Sequence, residues 1–442
     1  MADIFPFQAY RYNSKRVRLA DVLTQPYDKI TPAMQERYSR TSAYNLIVVE
    51  KGQPAPADSA GDNVYTRAER ALQSWIRDGV LVRDSSPGIY VYSQEYTVPG
   101  GVERRTRRGF IALGRVEDYS AGVVFRHEQT MTGPKADRLE LLRHTRTHTG
   151  QLFMLYTDPQ RRVDALLDAA MASATPAEAR DEYDVVHRLW PVFDAGVIVG
   201  VTRAMADQKL VIADGHHRYE TAIAYRDQFR AREQHRDPNA SYEKVMMTFF
   251  NTRSEGLLIL PTHRLVAGLS DFEPGAFRGK IASTFDQEVW PFENSAGRAQ
   301  AFEKFRHELA ASASGAPAVG MYAGSAFVLL RLRPGADLAG LLPEVPLALR
   351  QLDVVLLHRL LMDKGLGITA AAAVAEQHVS YERDIAVALA AVDEGKAQAC
   401  FLLNSIGVER VTEIALSGQV LPQKSTDFYP KLLSGITLYR ME

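Results

Sequence analysis

The chain has 442 residues, of which 46% are hydrophobic and 24% charged, with a formal net charge of -1. That length exceeds one ordinary core and implies two or three packed units, in a composition typical of soluble globular proteins. The near-zero charge counts against nucleic acid or an anionic membrane as the main partner, although a local basic patch is still compatible with it.

Cys400 is the single cysteine. An internal disulfide and a cysteine zinc cluster are therefore excluded, and a cytoplasmic location fits. Cys400 lies in the apolar run Ala399 to Leu403 and reads as a packing residue. No signal peptide is expected from the first residues. No apolar run approaches the roughly 20 residues of a membrane span.

In chain order, Ile4 to Phe7 and Leu46 to Val49 read as strands. Between them Pro26-Tyr27-Asp28 marks a turn, and Thr31-Pro32 opens a helix with Thr31 as its cap. Ala68, Leu72, Trp75 and Ile76 share one helical face that ends near Asp78-Gly79. Ile89 to Tyr92 and Thr106 to Leu113 flank a Pro-Gly-Gly turn and predict a hairpin. The polar stretch 120–150 leads into a strand at Leu152 to Tyr156, and residues 160–180 read as helix.

A helix near 197–206, a strand at Leu210 to Ala213 and a helix to about residue 234 make the clearest unit. Val245 to Phe250 and Leu257 to Leu260 read as a strand pair, closed by Pro261-Thr262-His263-Arg264. Residues 307–320 are of low complexity and predict a surface turn or linker. Phe327 to Arg331 and Gln398 to Leu403 read as strands, and Leu352 to Met362 and 384–394 as helices. The fold class is mixed α+β, without the strict alternation of a doubly wound sheet. The boundaries expected are 1–118, 119–268 and 269–442.

Chemistry concentrates at Asp214-Gly215-His216-His217-Arg218, directly after an apolar strand and at a helix start. Gly215 permits a tight turn. The first helical N–H groups are unpaired and the helix dipole adds positive charge, which favours an anion. Arg218 can grip a phosphate through two hydrogen bonds. Asp214 can cap the helix, bind a metal ion or act as a base. The plainer alternative is an N-cap with two incidental surface histidines. Successive helical residues point about 100° apart, so His216 and His217 do not form a metal-binding pair by themselves.

Elsewhere, Glu128 is a candidate general base with His127 beside it, against the alternative of a solvated loop. His263 and Arg264 follow a strand end and are candidate anion ligands. Asp28 stands either beside the site or in a simple turn. Lys424, Ser425, Thr426, Tyr429 and Lys431 form a polar cluster that either covers the cleft or caps a helix. Arg104, Arg105, Arg107 and Arg108 are the dense basic stretch, read as a hairpin edge. No phosphate-binding G-x-x-x-x-G-K-[ST] loop, nucleophile elbow or H-E-x-x-H is present.

The ordered motifs Pro26-Tyr27-Asp28, Arg126-His127-Glu128-x-Thr130, Asp214 to Tyr219, Pro261-x-His263-Arg264 and Pro422 to Thr426 resemble a prokaryotic family, the domain of unknown function 1015. The resemblance spans about residues 3–437. That family is distantly similar to the ParB/sulfiredoxin superfamily, which includes free serine kinases with a similar Asp-Gly-His-x-Arg turn against nucleotide phosphates. The resemblance implies an enlarged ParB/sulfiredoxin-like α+β core and phosphoryl chemistry. It implies ATP or ADP with Mg²⁺, bound by Gly215, His216, His217, Arg218, His263, Arg264 and Lys424. The implied catalytic set is Glu128, His127, Asp214 and His217, with Asp214 or Asp28 on the metal. His216 stands where sulfiredoxins carry cysteine, which puts sulfinic-acid repair in doubt. The functions implied are a phosphotransferase acting on a small hydroxyl metabolite, a ParB-type nucleotide-binding regulator, or a ParB-like nuclease.

Overall fold

The central runs Leu152–Tyr156, Leu210–Asp214 and Lys244–Asn251 are almost continuously apolar and buried, the pattern of strands covered on both faces. In the computed structural model, which describes residues 2–129, 135–172, 174–233 and 237–442, the chain divides into two units. The first is Met1–Leu258 together with Pro430–Glu442, and the second is Ile259–Tyr429.

The first unit holds β1 (Ile4–Phe5), β2 (Ile89–Thr97), β3 (Arg104–Arg115), β4 (Val124–Arg126), β5 (Leu152–Tyr156), β6 (Ala177–Arg180), β7 (Val186–Val192), β8 (Leu210–Asp214) and β9 (Lys244–Asn251). Among the described residues they form one nine-stranded sheet, ordered β4-β8-β5-β9-β3-β2-β7-β6, with β1 on β3. β8 runs parallel to β4 and antiparallel to β5, and β5 runs parallel to β9. One face of the sheet presents Val91, Phe110, Ala112, Met154, Ile212, Met247 and Phe249 to a core completed by helices. Those helices supply Val163 and Leu167 from Arg162–Met171, Val201 and Met205 from Ala195–Met205, and Tyr219 and Ala222 from His216–Arg230.

The second unit holds β10 (His263–Val266), β11 (Phe285–Pro291), β12 (Ala318–Tyr322), β13 (Ala326–Leu332), β14 (Val379–Glu382) and β15 (Ala399–Leu402). They form an antiparallel sheet ordered β11-β13-β12-β15-β10-β14. Phe305 and Leu309 of helix Ser295–Ala311 and Leu389 and Val392 of helix Ile385–Asp393 pack with Phe327, Leu329, Cys400 and Leu402. Cys400 is buried in this core.

The mixed α+β class holds, and several expectations need correction. Leu46 to Val49 belongs to no strand: Ile47–Glu50 is a helical turn. A four-residue apolar run has no periodicity to separate the two states, and Asn45 Oδ1 decides the matter by accepting the Ile47 N–H at 3.0 Å. The helix expected through about 234 ends at Arg230. Residues 177–180 are strand β6 rather than helix. The low-complexity stretch 307–320 contains the end of a helix and the start of β12. The unit division also differs from the expected boundaries. Residue 118 falls within the first unit, because β2 and β3 pair with strands from beyond it. Pro430–Glu442 returns to the first unit, which a linear division cannot express.

Candidate functional site

β4 and β8 are parallel neighbours, so their C-terminal ends emerge side by side. His127 and Glu128 follow β4, and Gly215 to Arg218 follow β8. The register of β8 against β5 shifts between Ile212 and Asp214, a bulge that re-aims the chain just before the turn. Gly215 then adopts φ 93° and caps the 15-residue helix that starts at His216. A Cβ at Gly215 would lie 3.0 Å from Leu152 Cδ2 and 3.1 Å from Arg218 Cζ, so both conformation and space require glycine.

Asp214 is held from two sides. Arg218 Nη2 donates to Oδ2 at 2.9 Å, and Lys431 Nζ donates to Oδ1 at 3.2 Å. Arg218 Nη1 also donates to the Gln151 carbonyl. Burial opposes ionisation of Asp214, but Lys431, Arg218 and Lys29 outweigh it and hold its carboxyl well below the usual range. The carboxylate orients Arg218 and neutralises part of a cation cluster.

His127 is 1% exposed. Its Nδ1 lies 2.6 Å from the Ile212 carbonyl. A carbonyl only accepts, so Nδ1 carries the proton. Burial pulls the His127 pKa down to about 4, which leaves Nε2 an acceptor at neutral pH, 3.9 Å from Glu128 Oε2. The His127 and His216 rings lie 4.9 Å apart between centroids. Burial, with His127 next, also pushes His216 well below the ordinary histidine range. Among the described residues, the Nε2 atoms of His216 and His217 are both buried without a hydrogen-bond partner.

Lys431 arrives on a strap that the sequence does not announce. Buried Arg107 donates to the Pro430 carbonyl at 2.5 Å, Gln94 Nε2 to that of Lys431 at 2.8 Å, and Gln151 Nε2 to that of Leu433 at 3.3 Å. Arg107 also lies over the rings of Phe153 and Phe250. The basic stretch is thus no uniform patch. Arg107 is inside the unit, while Arg104, Arg105 and Arg108 pair with Glu95, Glu103 and Asp168.

A small cavity of about 50 Å³ adjoins Arg218, lined by Tyr27, Glu50, Arg138, Thr149 and Gly150 among others; about 10–15 Å³ admits a water. Glu50 is 4% exposed. Its Oε1 accepts from Thr149 Oγ1 at 2.6 Å, and Oε2 lies 3.3 Å from Arg138 Nη1. Glu50 was missed in the sequence because its helical turn reads as a strand. The only signal was a carboxylate directly after an apolar run.

The structure brings together Glu128, His127, Asp214, Gly215, His216, His217 and Arg218, all in the first unit. The Pro26 turn reaches the same place through Tyr27 and Lys29, while Asp28 is exposed. Thr130 lies outside the described residues. His263, Arg264 and Lys424 belong to the second unit. There Arg264 is fully buried in β10 rather than at a strand exit. It contacts the carbonyls of Thr262 and Lys424 and, at 3.3 Å, His358 Nε2. His263 Nδ1 accepts the Leu403 N–H at 3.3 Å. Among the described residues no group of three or more His, Cys, Asp or Glu side chains could hold a metal ion, and no helix is long and apolar enough to cross a membrane.

A family model described as "Protein of unknown function (DUF1015)" matches residues 4–355. A search of curated proteins finds no match. Similar solved structures include a conserved hypothetical protein from Pyrococcus furiosus, 14% identical, covering 69% of this chain and 87% of that one at a TM-score of 0.33. A free serine kinase in complex with AMP is 13% identical, with 69% and 83% covered and a TM-score of 0.34. SbnI with a C-terminal truncation, from Staphylococcus aureus, is 10% identical, with 73% and 85% covered and a TM-score of 0.32. Likenesses this distant carry no argument about the chemistry of the site.

Proposed function

This chain belongs to the DUF1015 family, and we propose that it is a nucleotide-dependent phosphotransferase acting on a small hydroxyl metabolite, with free serine the first acceptor to test. The observation that carries this reading is the pair of Nε2 atoms of His216 and His217, buried and unpartnered among the described residues, at the start of a 15-residue helix. Buried polar atoms are nearly always paired. Two that are not, at the positive end of a helix, suit the oxygens of a phosphate.

In this reading Gly215, His216, His217 and Arg218 hold the phosphates of ATP or ADP, which supplies the phosphoryl group. Gly215 lets the backbone approach, and Arg218 is kept in place by Asp214. Glu128 takes the proton of the acceptor hydroxyl as its oxygen bonds to phosphorus and the bond to the bridging oxygen breaks. His127 Nε2, an acceptor, stands beside Glu128 and helps to orient that proton. Glu50 is a second candidate base, since it lines the small cavity next to Arg218. Such chemistry needs mainly positioning and charge neutralisation. A ParB/sulfiredoxin-like core belongs to the same proposal.

Mg²⁺ fits Asp214 poorly, because both carboxylate oxygens already face cations. Asp28 is exposed, and among the described residues it belongs to no group of three or more metal-ligating side chains. No step is derived through the ion. His263, Arg264 and Lys424 belong to the second unit, where Arg264 is held by the carbonyls of Thr262 and Lys424, and the reading rests on the residues of the first unit alone.

The test is incubation of purified protein with serine and ATP, ADP or pyrophosphate, reading phosphoserine, followed by a panel of other hydroxyl metabolites. Product that disappears in Glu128→Gln or Glu50→Gln identifies the base. Absence of product with every donor and acceptor refutes the transferase reading. Nucleotide binding without turnover, indifferent to Glu128→Ala, would identify a regulatory module instead.

A further inference from the structure

The first unit holds a further cavity, of about 480 Å³, within the roughly 300–1,000 Å³ of small-molecule sites. Glu69, Gln73, Arg143, His144, Arg146 and Arg440 line it, and none of them lines the small cavity at Arg218. Arg143 and His144 come from the last turn of helix Lys135–Thr145, and Glu69 and Gln73 from helix Val64–Arg77. Arg440 belongs to the C-terminal segment that returns to this unit.

Other arginines of the same helices are neutralised. Arg143 pairs with Glu140, and Arg70 pairs with Asp62. Arg146 and Arg440 differ: among the described residues neither guanidinium has an ion pair or a hydrogen bond. The fold nevertheless brings the two together. Tyr439–Arg440 pairs antiparallel with Thr147–His148, with Arg440 opposite Thr147. Met441 then donates its N–H to the Arg146 carbonyl at 2.8 Å. Arg146 itself adopts φ 46°, in the left-handed region that is uncommon for residues other than glycine and asparagine. Like charges on paired strands repel. Two unpaired guanidinium groups lining one cavity, one of them on a strained backbone, are thus a cost that nothing in the folded chain offsets.

Glu69 is the one carboxylate in the lining. Its Oε1 accepts from Gln73 Nε2 at 3.0 Å. The balance is therefore two unpaired cations to one anion. A carboxylate ligand is fully met by a single bidentate guanidinium. A phosphate group carries three terminal oxygens and about two negative charges at pH 7, enough to bridge two. We propose that this cavity is a binding site for a phosphate group, free or on a small monoester, gripped by Arg146 and Arg440, with Glu69 accepting from a hydroxyl of the ester. The site is separate from the turn at Gly215 to Arg218 and does not rest on the transferase reading, so either can fail alone.

The experiment is calorimetric titration of the full chain with inorganic phosphate and with glycerol 3-phosphate, with acetate as the control. Saturable binding of at least one phosphate probe is expected, and acetate should bind at least about tenfold more weakly. Arg146→Asn removes the charge and suits the left-handed backbone. Arg440→Gln removes the second charge, and neither change breaks an existing side-chain bond. Each is expected to weaken phosphate binding at least about tenfold. The melting temperature without ligand should stay equal or rise, because a repulsion is removed. Tighter binding of the ester identifies a phosphorylated metabolite as the ligand, and tighter binding of inorganic phosphate identifies the free ion. The folded His216→Ala/His217→Ala variant should retain this binding. No saturable binding of either probe, equally tight acetate, unchanged affinity in both arginine variants, or loss of all binding in the histidine variant overturns the proposal.

Discussion

Lys431 and Asp214 stand 217 positions apart in the chain, yet Lys431 Nζ lies 3.2 Å from Asp214 Oδ1. The contact ties the C-terminal strap to the turn that carries Arg218. It leaves Asp214 an orienting anion rather than a free base.

Replacing Asp214 by Asn should cost about 3 kcal/mol at neutral pH, because two partly buried cations lose their counter-charge. The carboxyl's folded pKa is depressed below its unfolded value of about 3.9. Its contribution is therefore complete above that value and disappears as pH falls through the folded one. Denaturant unfolding of wild type and Asp214→Asn across pH 2–7 should give curves that converge only in acid.

His127 gives the opposite test of burial. Its folded pKa of about 4 lies below the unfolded value of about 6.5. The native state is favoured fully above about pH 6.5 and loses up to about 3 kcal/mol as pH falls to about 4, since the unfolded state protonates first. His148 and His263 are lowered in the same way, so the readout is the difference from a variant. His127→Asn should show a shallower fall in stability over this window than wild type.

Gly215→Ala should destabilise by about 1–3 kcal/mol, because φ of 93° is strained for alanine. The new methyl also presses on the Arg218 guanidinium. Urea midpoints measure the cost, and nucleotide affinity should fall further than stability alone explains.

Arg107→Met removes the donor to the Pro430 carbonyl while keeping an apolar stem between Phe153 and Phe250. The cost should be about 1–3 kcal/mol, from acceptors left without a donor. Amide exchange should rise selectively in Lys431–Ser434, with the far helices protected as before. Uniform loss of protection would show that Arg107 supports the whole unit rather than the strap.

These residues also mark what the sequence could and could not disclose. The strand, turn and helix around Asp214 were legible because an apolar run, an Asp-Gly pair and helical spacing follow one another without interruption. The family resemblance was legible for the same reason, as separated motifs in order. Lys431 was visible as a polar residue, but its attachment to Asp214 depends on a chain return that no local pattern encodes. Glu50 was hidden by an apolar run too short to distinguish strand from helix. Arg107 looked like surface charge because it stands among three other arginines, one exposed and two half-buried. Its burial follows from the alternation along β3, in which side chains switch faces at every residue.

The central claim, that the turn at Gly215 to Arg218 holds nucleotide phosphates, is tested most directly by calorimetric titration of ADP into wild type and the His216→Ala/His217→Ala double variant. One site with a Kd between about 1 μM and 1 mM is expected for wild type. Affinity should be at least about tenfold weaker in the variant. No binding of ADP or ATP to the folded wild-type protein, or equal affinity in both proteins, would contradict the account.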